Sequence, residues 1–218
     1  EPTDDGGPPF LRHEHWRATL MQGGRVSWLR YEDARRFGVL DVLMRPAPPH
    51  GDAAFDNRRP DADQHPLLDH LGIEPLSEQF DGAWLYQATR NVRTAIKAVL
   101  MDAHRVVGVG NIYASEACWR AQIDPHAPAG ALTQATATRL VAAVVAVLRD
   151  AIADGGTSLR DFVSGDRSPG YFQQRLDVYG REGAPCRRCA SEGATTLVVR
   201  EQLAGRSTFR CPRCQPRR

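Results

Sequence analysis

Four cysteines near the C-terminus constrain the fold more than any other feature of this sequence. Cys186 and Cys189 form one C-x-x-C pair, Cys211 and Cys214 form a second, and 21 residues separate the pairs. Each C-x-x-C turn directs two thiolates at one ion, and two turns complete a closed tetrahedral site. In a reducing compartment this spacing favours metal binding over disulfides or redox thiols. We therefore predict one structural Zn²⁺ that holds a small β-ribbon together.

The charge distribution indicates a polyanionic partner. The 218 residues carry a net charge of +2, but residues 181–218 hold nine Arg against three Glu, a net of +6. A segment this basic is typical of nucleic-acid binding, although a solvated Arg-rich surface would give the same count. No apolar run approaches the ~20 residues that span a bilayer, and no signal segment opens the chain. We expect a cytosolic protein without a membrane partner.

The N-terminal part of the chain has a β-like pattern. β-like runs at 16–21 and 26–31 flank a turn at 22–25, and residues 39–44 could form a third strand. Residues 45–66 contain five Pro and show no periodicity, which is typical of a linker.

Helical spacing begins after residue 66. Thr89 is predicted to cap one helix, a second should run from Asn111 to about Ala121, and a third from Thr133 to Asp154. The third helix should bury one face, consisting of Leu140, Val144, Leu148 and Ile152. Cys118, alone on the second helix, is expected to be a core residue.

Two glycines precede the helix that is predicted to begin at Asn111. Gly108 and Gly110 let a backbone approach closely, and the first N–H groups of a helix have no partner within it. An anion suits such a position, and a nucleic-acid phosphate is the natural one. A G-x-G turn by itself is usually just a turn, but this one and the basic cysteine-rich segment favour the same partner.

Several motifs of the sequence occur together in one known family. They are Thr94–Lys97, Leu100–Asp102, Val107–Glu116, Gly155–Phe162, Pro169–Phe172, Val178–Cys186 and Gly205–Phe209. Across residues 10–218 the chain resembles the formamidopyrimidine-DNA glycosylase/endonuclease VIII family, and its oxidised-purine branch in particular. With the patterns above, the resemblance implies an α+β fold in four parts. These are a partial N-terminal β-sandwich (1–44), a linker (45–66), a helix–two-turns–helix DNA-binding domain (67–180) and a zinc β-ribbon (181–218).

The resemblance also implies roles for the matching positions. Asn111 corresponds to a phosphate-binding residue, and Arg206 to a residue that clamps phosphates and assists the late elimination step. Arg35 would face the orphaned partner base, and Phe37 would wedge into the stack; outside the motif they would be a solvated Arg and a core Phe. The other implied DNA-binding residues are His13, Arg93, Lys97, Gly110 and Tyr113, and a base-capping loop contains Gly165, Gly170 and Tyr171.

The function implied is base-excision repair by a bifunctional DNA glycosylase/AP lyase, which hydrolyses the N-glycosyl bond of oxidised purines in duplex DNA. Such a protein would act as a monomer on DNA with an oxidised purine or an abasic site. It would lie in a bacterial cytoplasm, with the nucleoid.

The chain departs from this family at its catalytic positions. The family uses an N-terminal Pro nucleophile, then a Glu, and a Lys in the first sandwich. Here Glu1 precedes Pro2, whose nitrogen is an amide, and the only lysine, Lys97, matches the DNA-binding helix. We expect a fragment of a complete enzyme that clamps lesions without the nucleophile, or else a protein that kept binding and lost catalysis. A non-catalytic damaged-DNA-binding zinc protein and an RNA-associated zinc-ribbon protein are the rival interpretations.

Overall fold

The structure is a computed structural model that describes residues 14–32, 68–156 and 172–217. Its contacts divide the chain into two compact units, Glu1–Arg58 and Arg59–Arg218. Helices and antiparallel strands both occur, which confirms the predicted α+β class. The predicted boundaries after residues 44, 66 and 180 stay predictions, and the proposed third strand and the linker lie outside the described residues.

The first unit contributes a β-hairpin. Strand β1 (Glu14–Gln22) pairs antiparallel with β2 (Arg25–Glu32), from Trp16 opposite Tyr31 to Gln22 opposite Arg25. Gly23 and Gly24, with φ of 56° and 74°, form the two-residue turn, because a tight hairpin needs positive φ at both central positions. The two predicted strands and their turn are therefore confirmed.

The second unit begins with two short helices. Helix α1 (Gly82–Ala88) starts after Asp81, whose Oδ1 accepts a hydrogen bond from the Trp84 backbone N–H at 2.7 Å. Helix α2 (Ile96–Leu100) starts after Ala95. The prediction that Thr89 caps the start of a helix was wrong. Its Oγ1 donates to the Leu85 carbonyl oxygen at 2.8 Å, so Thr89 ends α1 instead.

The two longer helices form the core of this unit. Helix α3 (Asn111–Arg120) and helix α4 (Gln134–Ala153) match their predicted bounds, and Thr133 caps α4 by accepting the Thr136 N–H. Cys118 is buried, as expected. The predicted buried face of α4 was wrong at Ile152, which is 65% exposed, because the face continues through Val147 and Ala151 instead.

The core between these helices is apolar and continuous. Gly82 packs against Thr138 of α4 so closely that a Cβ atom would lie 2.1 Å from the threonine Oγ1, so α1 can approach α4 only with glycine there. Fully buried members of the core include Leu85, Ile96, Leu100, Val106, Leu140, Val144, Val147 and Phe172. Within the described residues, no helix is long and apolar enough to cross a membrane.

The cysteine-rich segment packs against α3 in the same unit. It contains the short helix α5 (Arg187–Ser191) and the antiparallel strands β3 (Val199–Leu203) and β4 (Arg206–Arg210). Ala204 and Gly205 form the hairpin turn with φ of 48° and 75°. The predicted β-ribbon is present, and its small apolar cluster is built around the four cysteines and Val178, Val198 and Phe209.

Candidate nucleic-acid interface and metal centre

The four predicted ligand cysteines converge on one point. Their sulfur atoms all lie within 4.8 Å of one another, at 3.8 Å for Cys186–Cys214, 3.6 Å for Cys189–Cys211 and 3.5 Å for Cys189–Cys214. A disulfide would need sulfurs about 2.0 Å apart, whereas four sulfurs around a tetrahedral zinc lie about 3.8 Å apart. The arrangement therefore fits a single tetrahedral metal ion.

Local hydrogen bonds favour the thiolate form of the first cysteine. Burial opposes ionisation of Cys186, but hydrogen bonds from the Cys189 backbone N–H, the Trp119 indole N–H and the thiols of Cys211 and Cys214 together lower the pKa of Cys186 to about 7. Burial raises the pKa of both Cys211 and Cys214. Four thiolates so close together would repel one another, and a bound divalent cation would supply the charge that lets all of them ionise.

Asn111, the first residue of α3, joins the helices to the ribbon. Its Oδ1 accepts from Lys97 Nζ at 2.5 Å, and its Nδ2 donates to the Ser207 carbonyl at 3.0 Å and to the Tyr179 hydroxyl at 3.3 Å. Both amide hydrogens of Asn111 therefore have protein partners. The side chain fixes the start of α3 against the start of β4.

Lys97 lies inside the protein and completes this junction. Its side chain has no exposed surface, and Nζ also donates to the Ser207 carbonyl at 3.2 Å and to Thr208 Oγ1 at 2.8 Å. Burial lowers the pKa of Lys97 to about 8, the nearby Cys118 opposes this, and the charge of Arg206 adds to it. The contacts of Lys97 are internal, and a direct contact with DNA stays a prediction.

The glycine turn leaves the N-terminus of α3 open. Gly108 has φ of +73°, and Gly110 is the N-cap of α3 in an extended conformation. A Cβ atom at either glycine would meet nothing within 4 Å. Neither glycine is therefore crowded by other atoms on its Cβ side, and the first N–H groups of α3 have no partner within the helix, which is a suitable start for an anion site.

Three further predicted DNA-binding residues differ in their exposure: Arg206, Arg93 and Tyr113. Arg206 is exposed at the tip of the ribbon, directly after the Ala204–Gly205 turn. Arg93 is exposed just before α2, whereas Tyr113 is half-buried with its ring edge-on to Phe172 at 5.9 Å. The remaining predicted residues lie outside the described parts of the chain: His13, Arg35, Phe37, Gly165, Gly170 and Tyr171.

Sequence reasoning missed a buried carboxylate that holds the segment leading into the ribbon. Glu116 Oε1 accepts the backbone N–H groups of Val178 and Tyr179 at 3.0 and 2.8 Å, and Oε2 accepts that of Asp177 at 2.9 Å. Burial raises the pKa of Glu116, and the three N–H groups oppose that rise. A carboxylate among the small and apolar residues at positions 114–119 was the available signal, because a buried charge needs partners.

Sequence reasoning also missed the residues that hydrogen-bond to Lys97, Asn111 and Cys186. Ser207, Thr208 and Tyr179 meet Asn111 or Lys97 across long stretches of sequence, and Trp119 meets Cys186. None of these pairings has a local sequence signal, although Ser207 and Thr208 stand in the motif that ends at Phe209.

In this protein, the N-terminus of α3 lies beside the four-cysteine ribbon. That arrangement is typical of DNA-binding proteins that combine a helix–two-turns–helix domain with a zinc-finger-like module. Residues 71–163 match the family model described as "Formamidopyrimidine-DNA glycosylase H2TH domain". The chain is 54% identical over 205 residues to the formamidopyrimidine-DNA glycosylase of Aromatoleum aromaticum, covering 94% of this chain and 67% of that protein. The chain belongs to the formamidopyrimidine-DNA glycosylase family.

Solved structures agree with this assignment. The Fpg (MutM) protein of Thermus thermophilus is similar with a TM-score of 0.73 at 39% identity, over 95% of this chain and 70% of that one. Lactococcus lactis Fpg in complex with DNA containing an abasic site has a TM-score of 0.73 at 29% identity, over 96% and 69% of the two chains. The chain spans about two thirds of the length of these relatives.

Proposed function

We propose that this chain is the lesion-clamping part of a base-excision-repair DNA glycosylase/AP lyase that acts on oxidised purines and abasic sites in duplex DNA. The observation that carries the proposal is the junction of Lys97, Asn111 and Ser207. It ties the open N-terminus of α3 to the strand that begins with the exposed Arg206. Two anion-binding features are thereby held at a set separation, as a kinked phosphate backbone requires.

In this arrangement each group has a distinct task. Backbone N–H groups at the start of α3 bind a phosphate, and Asn111 acts as the anchor that orients them. The Arg206 guanidinium binds phosphates at the lesion and, by family resemblance, assists the late elimination step. Zinc, held by the four cysteines, would supply only structure, because four protein ligands leave no coordination position open.

The chain itself supplies no accessible side-chain amine for a Schiff base. Lys97 is its only lysine, and that side chain is buried with three acceptors around Nζ. This observation favours a second candidate function for the chain alone, a non-catalytic damaged-DNA-binding zinc protein. Borohydride trapping on an abasic duplex by the full-length product of the gene separates the two, because a covalent adduct requires an amine nucleophile and would support the glycosylase/AP lyase, whereas tight binding without an adduct would support the non-catalytic protein.

Binding measurements test the proposal directly. The protein should bind a duplex with an abasic-site analogue more tightly than the intact duplex, and more tightly than a structured RNA of equal length. Asn111→Ala and Arg206→Ala should weaken binding to both duplexes. Gln202→Ala, at an exposed position of the same hairpin, is the control and should not change it. Equal affinity for damaged and intact DNA would contradict lesion recognition, and a preference for RNA would contradict the DNA substrate.

The metal assignment has its own test. Protein purified without chelators should contain about one zinc ion per chain, and a chelator should unfold the ribbon and abolish DNA binding. Because the ribbon contacts α3 through Asn111, and Glu116 of α3 holds the segment leading into the ribbon, loss of the metal should also disturb the helical part. Metal-free protein that still binds the abasic duplex with full affinity would contradict this assignment.

The proposal extends to residues outside the described parts. Arg35 and Phe37 would fill the gap left by the extruded base, His13 would contact DNA, and the loop with Gly165, Gly170 and Tyr171 would cap that base. Phe37→Ala should weaken binding to the abasic duplex by about 1–3 kcal/mol without lowering the melting temperature. A large loss of stability with equal losses of affinity for both duplexes would instead identify Phe37 as a core residue.

The protein would act as a monomer on chromosomal DNA in a bacterial cytoplasm.

A further inference from the structure

The last turn of α3 makes a polar contact with the metal centre. Trp119 Nε1 lies 3.4 Å from Cys186 Sγ, and the indole is only 7% exposed. The indole N–H is a donor only, so in this geometry it donates to the sulfur. A buried sulfur that accepts such a hydrogen bond is held in a defined orientation toward the other three cysteines.

A second contact fixes the plane of the same indole. The Arg188 guanidinium carbon lies 4.2 Å from the centroid of the Trp119 ring, a cation–π stack. Arg188 also donates to the Trp119 carbonyl at 3.1 Å and to the Arg120 carbonyl at 3.3 Å, which lie in the last turn of α3. Arg188 lies between Cys186 and Cys189 in the sequence, so a residue of the first cysteine turn contacts the C-terminal end of α3.

An N–H donor changes the chemistry of a metal-bound thiolate. It withdraws electron density from the sulfur, which stabilises the thiolate against protonation and makes it a weaker nucleophile. Partners that hydrogen-bond to metal ligands orient them, and their loss typically costs 10–100-fold in metal affinity. A phenylalanine would keep the ring and the Arg188 stack but would not supply the N–H.

We propose that Trp119 is a positioning residue of the metal centre, whose indole N–H stabilises the zinc-bound Cys186 thiolate and connects the centre to α3. This inference rests on the proposed zinc site. Since α3 begins at Asn111 and Trp119 lies in its last turn, both ends of this ten-residue helix contact the ribbon. The metal centre thereby helps to hold the phosphate-binding end of the helix in place.

The test compares Trp119→Phe with Trp84→Phe in the full chain. Trp84 is half-buried on α1 beside Phe80 and serves as the matched control. Competition with a chromophoric chelator should show a 10–100-fold loss of zinc affinity in Trp119→Phe and no change in Trp84→Phe. In the cobalt-substituted proteins, the thiolate-to-cobalt charge-transfer bands should shift in Trp119→Phe only, because that signal reports electron density on sulfur rather than packing.

The outcomes separate this inference from the zinc proposal. A wild-type chain that binds neither zinc nor cobalt would overturn both. Wild-type binding with unchanged affinity in Trp119→Phe would overturn only the role of Trp119, and so would lost affinity with unshifted bands. If Trp119→Phe does not fold, benzothienylalanine can replace tryptophan in a chain whose other tryptophans are phenylalanine. That residue keeps the ring shape and lacks the N–H, and the same band shift is expected.

Discussion

Lys97 and Glu116 are charged residues with no solvent-exposed surface. Lys97 connects α2 to the ribbon, and Glu116 connects α3 to the segment that leads into the ribbon. Burial of an ionised group is costly unless hydrogen bonds replace its hydration. Lys97 Nζ has three acceptors and the Glu116 carboxylate has three donors, so both requirements are met. At this scale, two buried charges with satisfied hydrogen bonds help to hold the ribbon and the segment leading into it against the helices.

The first residue-scale prediction concerns the pH dependence of stability. Burial lowers the pKa of Lys97 to about 8, below the ~10.4 of an exposed lysine. Between these values the unfolded chain binds more protons than the folded one, so this group makes the free energy of unfolding rise with pH. Lys97→Met removes that titration. In urea unfolding, the free energy of unfolding of the wild type relative to that of Lys97→Met should therefore increase from about pH 8 to about pH 10. A difference that stays flat or falls over this range would contradict the prediction.

The second residue-scale prediction concerns Glu116→Gln. The amide keeps the size of the side chain but turns one oxygen into a donor, which faces backbone N–H groups that are themselves donors. We expect a loss of about 1–3 kcal/mol in the free energy of unfolding, measured by chemical denaturation. The exposed Glu78→Gln is the control and should stay within about 0.5 kcal/mol of the wild type. Equal stability of the two variants would show that the three hydrogen bonds contribute nothing.

At the scale of elements, the β3–β4 hairpin carries backbone strain at its turn. Ala204 has φ of 48°, a left-handed conformation that an alanine adopts at a cost, whereas Gly205 at 75° adopts it freely. The turn directs Arg206 to the tip of the ribbon. Strain at this turn therefore lies next to a residue that we assign to DNA binding.

The element-scale prediction is that Ala204→Asn stabilises the protein. Asparagine tolerates the left-handed region, and Asn-Gly is a preferred two-residue hairpin turn. The gain should be about 1 kcal/mol in thermal or chemical unfolding of the zinc-loaded protein. Gln202→Asn makes the same new side chain at an extended position of β3 and should give no gain. Destabilisation by Ala204→Asn would contradict the turn geometry.

At the scale of the whole molecule, charge is distributed unevenly along the chain. Residues 181–218 carry a net charge of +6, whereas residues 1–180 carry −4. Several arginines of the ribbon are nonetheless paired internally: Arg210 and Arg217 both contact Glu201, at 2.9 Å each. The arginines that are exposed without such a pair are the ones available to phosphates.

The whole-molecule prediction concerns salt. Each phosphate neutralised contributes about −0.9 to the slope of log affinity against log salt on duplex DNA. Arg206→Ala should therefore reduce the magnitude of the slope by about one unit. The control is Arg213→Ala, because Arg213 lies 3.5 Å from Glu192 on another part of the ribbon. Equal slopes for wild type and Arg206→Ala would contradict the phosphate contact.

Some of this protein follows from the sequence because the cause is local. The C-x-x-C pairs predicted which sulfurs would meet, since each turn already directs two of them. The bounds of α3 and α4 followed from Gly110, Thr133 and Gly155, because caps and stops act within a few residues. The glycine pair at 23–24 predicted the hairpin in the same way.

Only the tertiary structure decided how these parts meet. The sequence predicts that Thr89 caps the start of a helix. In the structure its hydroxyl donates to the Leu85 carbonyl, and Thr89 is the C-cap of the preceding helix. The family resemblance predicts that Lys97 contacts DNA, yet its side chain is buried, and one of its three acceptors, Thr208, lies 111 residues later in the chain. The Trp119 indole N–H donates to the sulfur of Cys186, which lies 67 residues later in the chain. Local patterns set the caps, turns and ligand pairs; partners so distant in sequence leave no periodic signal, and the packed core alone brings them together.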